Sequence, residues 1–164
     1  MTPLESFAEQ ARSFQRWIQD SRSQGGALAR EALFELTALY VAALRLPSPF
    51  LEPSDSEAAD RVDDQEFKKV FKWGARLPFN YYGEVFDSTV VPPEEPVVGD
   101  LADDVADIYR DVITGLRLFE DGRFNDASWE WGFTFQSHWG KHATDAIRAI
   151  HYWLASNEPE RLHS

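Results

Sequence analysis

The chain contains no cysteine, which excludes disulfides and thiolate metal sites and removes any thiol-based indication of redox compartment. No apolar run approaches the ~18 uninterrupted residues needed to span a bilayer. The opening residues Met1-Thr2-Pro3-Leu4-Glu5 carry neither the basic nor the apolar region of a secretory signal, so a cytoplasmic location is expected. Positive charge is scarce: 16 Lys and Arg face 28 Asp and Glu, for a net charge of −12. Nucleic-acid backbones and anionic membranes need basic surface, so neither is expected as a partner. A Gly-x-Ser-x-Gly nucleophile elbow and phosphate-binding glycine motifs are also missing. Ser128 and Ser137 fall inside a helical pattern, where a nucleophile is poorly presented. The balance leans against an enzyme.

What is present reads as a packed helical globule. The chain is 43% hydrophobic and 14% aromatic over 164 residues, enough for one domain with a proper core. Thr2 and Glu5 form a capping-box pair with Pro3 at the first helical position, and Leu4, Phe7, Ala8, Ala11, Phe14, Trp17 and Ile18 follow with helical spacing. After Gly25-Gly26, a second helix is expected from about Ala27 to Leu46; it is apolar around much of its circumference and so reads as central. A Pro-, Ser- and acid-rich loop over 47–62 leads to a short helix starting at Asp63, with Phe67, Val70, Phe71 and Leu77 inward.

The segment from Phe79 to Gly99, with three prolines, reads as a long irregular loop without strand-like alternation. A third long helix runs from near Asp100 to Asp121-Gly122, and a fourth from an Asn125 cap to about Ser156, with a bend near Gly132 or Gly140. The expected fold is an all-α, single-domain bundle (residues 1–164) of four long helices plus a short one. Its core covers about residues 3–156, with a flexible C-terminal tail over 157–164.

Charge is unevenly spread. Residues 1–50 carry five acids and five bases, whereas 51–126 carry nineteen acids and eight bases. Lys68, Lys72 and Arg76 form the one basic stripe and are expected to neutralise part of this acidic middle. Asp104, Asp107 and Asp111 stand at i, i+3 and i+7 on the third long helix, flanking its core face, where like charges repel. On the fourth, His138, His142 and Asp145 fall on one stripe beneath the Trp129-Glu130-Trp131 run. Arg148, His151 and Tyr109 stand as possible supporting residues, and Arg148 is expected to clasp the aspartate stripe through paired hydrogen bonds.

Two readings of the stripes stay open. One is a structural network of histidines with buried aspartates and indole N–H groups. The other is a divalent transition metal shared by Asp104, Asp107, Asp111, His138, His142 and Asp145, because a mixed carboxylate and imidazole set suits zinc, manganese, iron or nickel. The spacing His-x-x-x-His supplies two ligands from one helical turn. The Glu-x-x-His pairs of di-iron bundles are absent, as is the glutamate of the zinc-protease motif, since Trp139, Gly140 and Lys141 lie between the histidines.

The segments Tyr82-Gly83-Glu84-Val85-Phe86-Asp87, Leu101-Ala102-Asp103-Asp104-Val105-Ala106-Asp107-Ile108-Tyr109-Arg110-Asp111 and His138-Trp139-Gly140-Lys141-His142-Ala143 belong together with Ala146-Ile147-Arg148-Ala149-Ile150-His151. Over roughly residues 4–155 they resemble a bacterial all-helical family known as a domain of unknown function. The resemblance implies no activity; it marks the aspartate stripe and the His-Trp-Gly-x-His turn. The first functional expectation is therefore a non-enzymatic acidic protein acting through a protein partner, as an accessory or immunity-type subunit would, with no cofactor. The second is a metal- or small-ligand-binding bundle, possibly enzymatic, with its site between the third and fourth long helices.

Overall fold

The structure, a computed structural model, describes residues 1–49 and 59–164. Most of the loop expected over 47–62 therefore lies outside the described residues. Helix α1 spans Pro3–Asp20 and α2 spans Gly25–Ala43, followed by the short α3 at Asp64–Gly74. A small antiparallel hairpin pairs β1 (Tyr81–Glu84) with β2 (Val97–Asp100), and α4 covers Leu101–Glu120. Helix α5 (Phe124–Thr134) passes through a π turn at Phe135–Trp139 into α6 (Gly140–Asn157), and a short 3-10 turn occupies Pro159–His163.

Local chemistry accounts for the boundaries. Thr2 and Glu5 form the reciprocal capping box of α1. The Asp63 side chain accepts from the Glu66 amide to start α3, and Asp100 accepts from Asp103 to start α4. The last long helix begins at Phe124, one residue ahead of the expected Asn125 cap, with no side-chain cap. Its expected bend takes the form of the π turn. The Gly140 position is tight there, since a Cβ would lie 2.3 Å from the Phe135 carbonyl oxygen. The hydroxyls of Thr134 and Ser137 donate to the carbonyls of Glu130 and Phe133, which also loosens a helix at that point.

Helix α4, not α2, is the centre of the bundle: it packs against α1, α3, α5 and α6. Its Leu101, Val105, Ile108, Val112, Ile113 and Leu116 are fully or almost fully buried. Trp131 joins this core by donating its indole N–H to the Val112 carbonyl at 2.8 Å and meeting Phe7 edge to face at 4.7 Å. The all-round apolarity of α2 reflects burial against α1 and α6 plus an outer flank where Phe34, Val41 and Leu44 remain exposed. Phe71 of α3, expected inward, is likewise exposed.

Two further expectations need correction. The segment taken as loop contains the hairpin, whose four-residue strands each hold a glycine and are too short for a legible alternation. In its register Tyr82 faces Gly99, where a Cβ would lie 2.5 Å from the tyrosine ring, so glycine lets the ring lie across the partner strand. The tail over 157–164, expected to be free of the core, packs against it. Leu162 packs on the core, Arg30 donates to the Ser164 carbonyl at 3.0 Å, and Glu158 lies against Gly26.

Candidate functional site

Helices α4 and α6 meet along a polar seam. The aspartates at i, i+3 and i+7 of α4 face the histidines of the π turn and of α6 in reverse order, which is the pairing that antiparallel helices produce. Asp111 Oδ2 lies 2.6 Å from His138 Nδ1, and Asp104 Oδ1 lies 2.6 Å from His142 Nδ1. Asp107 sits between them, its Oδ2 3.6 Å from His142 Nε2. Asp104 and Asp111 are buried, whereas the side chain of His138 is 43% exposed and that of His142 27%. The acids thus lie at the base of the seam and the imidazoles open towards solvent.

Burial dominates the electrostatics of the base. It raises the Asp104 carboxyl, and the hydrogen bonds from His142 and Tyr82 offset only part of that. Asp111 is raised for the same reason, with the bond and charge of His138 acting against it. For His142, burial disfavours the cation, but the Asp104 hydrogen bond and the charges of Asp104, Asp107 and Asp103 outweigh it, so its pKa is raised. Each carboxylate occupies Nδ1 of its imidazole, so Nε2 is the nitrogen left for another partner.

Sequence reasoning missed Tyr82 and Glu84. The Tyr82 hydroxyl donates to Asp104 Oδ2 at 2.5 Å and stands 3.4 Å from Glu84 Oε2. Burial and then the neighbouring Asp104 push this phenol upward, so it stays neutral and donates. Glu84 is raised by burial and then by its hydrogen bond with Asp145. Lys141 Nζ holds that carboxyl pair, 2.7 Å from Asp145 and 3.7 Å from Glu84. The Tyr-Tyr-Gly-Glu run was the available signal, but only the hairpin pairing turns it towards α4.

Of the residues singled out from sequence, the structure brings together Asp104, Asp107, Asp111, His138 and His142. Asp145 turns to Lys141 and Glu84 and is paired with neither histidine among the described residues. Tyr109 lies on the other side of α4, buried against Phe14, and does not support the seam. Arg148 forms no clasp: it is exposed and has no ion pair or hydrogen bond among the described residues, because the aspartates it was expected to reach are held by the histidines. His151 is exposed beside it on the wall of a groove of about 940 Å³. The basic stripe does not act as a unit either. Arg76 donates to the carbonyls of Ser21 and Ser23 and stacks over Trp73, while Lys68 and Lys72 are exposed. Neutralisation falls instead to Arg117, paired with Glu66 at 2.8 Å, and to Arg61, paired with Glu130 at 3.0 Å.

A family model described as "Domain of unknown function (DUF5063)" matches residues 2–156. The chain belongs to this DUF5063 family. Its fold is similar to that of the crystal structure of protein BF1032 from Bacteroides fragilis, at a TM-score of 0.74 and 20% identity. That likeness covers 91% of this chain and 90% of the other, and it concerns the fold alone. No curated protein matches the chain. Both DUF5063 membership and the mostly helical fold agree with the expectations from sequence, and no helix among the described residues is long and apolar enough to cross a membrane.

Proposed function

We propose that this DUF5063 protein binds a divalent transition metal between α4 and α6, through the Nε2 atoms of His138 and His142 and a carboxylate oxygen of Asp107. One observation carries this reading: both imidazoles have Nδ1 tied to a buried carboxylate, and the other nitrogen of His142 faces a third acid, Asp107. That backing by an outer carboxylate is how ligating histidines are oriented and made more basic. One ligand atom from each of Asp107, His138 and His142 lies within 4.8 Å of the others. The 3.6 Å between His142 Nε2 and Asp107 Oδ2 is too long for a hydrogen bond. It is close to the ~3.3 Å edge expected between two ligands held ~2.0–2.1 Å from one tetrahedral ion.

Two imidazoles and one carboxylate suit zinc, iron, manganese or nickel, and three protein ligands leave a coordination position open to water or another ligand. When bound, such an ion supplies Lewis acidity and lowers the pKa of a coordinated water. Asp104 and Asp111 act as orienting residues, and Tyr82 holds Asp104 in place through its hydroxyl. Elemental analysis and calorimetry on protein purified without a metal-affinity tag test the reading. We expect near-stoichiometric metal, lost in the His138→Ala/His142→Ala double variant and weakened ~10–100-fold in Asp104→Asn. Zinc and manganese both failing to bind the intact protein more tightly than the double variant would overturn it.

A second reading, action through a protein partner, has its own support in the hairpin. Tyr81, Phe86, Val91 and Val98 are exposed there, beside Asp87, Glu94 and Glu95, with no basic residue between 77 and 109. A partner with basic and apolar surface matches that face. Photocrosslinking from position 91, with position 44 on α2 as the control, tests it. A crosslink to one basic protein from 91 alone supports the reading, and equal yields from both positions set it aside.

A further inference from the structure

The groove of about 940 Å³ lies between the first hairpin strand, α2 and the second half of α6. Its walls are mostly apolar, with Tyr40, Phe79 and Trp153 among them, and Phe79 and Trp153 are stacked at 6.2 Å. The volume lies within the range of small-molecule sites, which combine apolar walls with a few placed polar groups. Arg148 lines this groove. An acid lies three residues before it, but Asp145 is held by Lys141 at 2.7 Å and by Glu84, so the guanidinium keeps its donors free among the described residues.

We propose that this groove binds a small aromatic carboxylate, its ring on the Tyr40, Phe79 and Trp153 wall and its carboxylate on Arg148. The fork of a guanidinium matches a carboxylate through two parallel hydrogen bonds. A monoanion fits better than a phosphate, because the Glu84 and Asp145 carboxyls line the same groove and a second negative charge would meet them. The aromatic wall supplies the apolar burial that a surface ion pair alone lacks. His151, one turn beyond Arg148 on the same wall, offers a further polar group at that end. None of these groups ligates the proposed metal, so the groove is a separate site.

Calorimetric titration of chelator-treated protein with 1-naphthylacetate and with the uncharged 1-naphthylacetamide tests the inference apart from the metal. The carboxylate is expected to bind one-to-one and to weaken about ten-fold in Arg148→Gln. The amide should bind more weakly and equally to both proteins. Ser156→Trp, an exposed substitution on the groove wall, should weaken both ligands if they occupy the groove. Circular dichroism checks that each variant is folded, as expected for exposed positions. Equal binding of acid and amide, no effect of Arg148→Gln, no effect of Ser156→Trp, or no saturable binding of the carboxylate would each overturn the proposal.

Discussion

Two regions of the bundle bury acids, and they solve the same problem with different partners. At the α5 end, Glu130 is 4% exposed and takes a two-pronged bond from Arg61, while Asp126 is held by Arg123 at 2.7 Å. Along the α4–α6 seam, Asp104 and Asp111 are equally buried but are met by imidazoles. Arginine is always charged and offers only donors, so an acid paired with it is neutralised and the valence of the pair is closed. Histidine spends one nitrogen on the acid and keeps the other for a second partner. The first region closes its ion pairs, and the second leaves an imidazole nitrogen unspent.

The sharpest way to break this contrast is to remove a seam acid. Asp104→Ala strips the acceptor from both His142 and Tyr82, and we expect urea denaturation to show a loss of about 2–6 kcal/mol, two groups at roughly 1–3 kcal/mol each. Asp107→Asn should stay within about 0.5 kcal/mol of the parent, since Asp107 has no partner at hydrogen-bond distance among the described residues. Equal costs for the two would erase the distinction between supporting acid and free acid. Next in size is the response to metal. Zinc at about a hundred times its Kd should raise the unfolding free energy of the parent by about 2.7 kcal/mol and that of Asp107→Ala by much less.

The arginine-paired end gives smaller effects. Arg61 is largely exposed, so Arg61→Ala should cost only about 1 kcal/mol in the same assay and leave metal binding untouched. Burial, partly offset by Arg61, raises the Glu130 carboxyl above its ordinary value of 4.5. The folded state therefore holds this proton more tightly than the unfolded state, and the benefit is present below 4.5 and lost as pH rises through the folded value. Glu130→Gln removes that decline. Urea midpoints across this window should fall less steeply with pH in the variant, and parallel curves would show that Glu130 is ionised without penalty. Smallest of all, Lys68→Ala and Lys72→Ala should leave the melting temperature unchanged, because both lysines are exposed and hold no acid among the described residues.

The helices and both polar stripes were legible because they rest on local signals: caps, the 3.6-residue period, and acids spaced to share one face of α4. The two stripes meet where α4 and α6 pack, since either one buried alone would leave unpaired polar groups. The hairpin was not legible, since its pairing is non-local and Gly83 and Gly99 break any alternation. With it went Tyr82, whose contact with Asp104 depends on the strand register. Arg148 failed for a different reason. It was expected to clasp the aspartate stripe, but the histidines hold Asp104 and Asp111, and Lys141 takes the nearer Asp145 from the preceding turn. Which of two cations wins one acid is decided by packing against Phe86 and Glu84, both supplied by the hairpin.

The π turn at Phe135–Trp139 makes chain length a structural variable in its own right. Each residue of an α-helix advances the phase by roughly 100°, so eight residues of uniform helix would leave Trp131 and Trp139 about 80° apart. Both instead face Phe7, at 4.7 and 6.1 Å, as though only seven residues separated them. The wide turn absorbs one residue of phase. Everything after it, His142 included, is thereby indexed to everything before it. A substitution in this segment changes a contact; deleting one residue would rotate the whole of α6 against α4 and uncouple the histidines from their acids together. The segment is a phase-setting element, and its residue count is as much a part of the seam as the His138 side chain it carries.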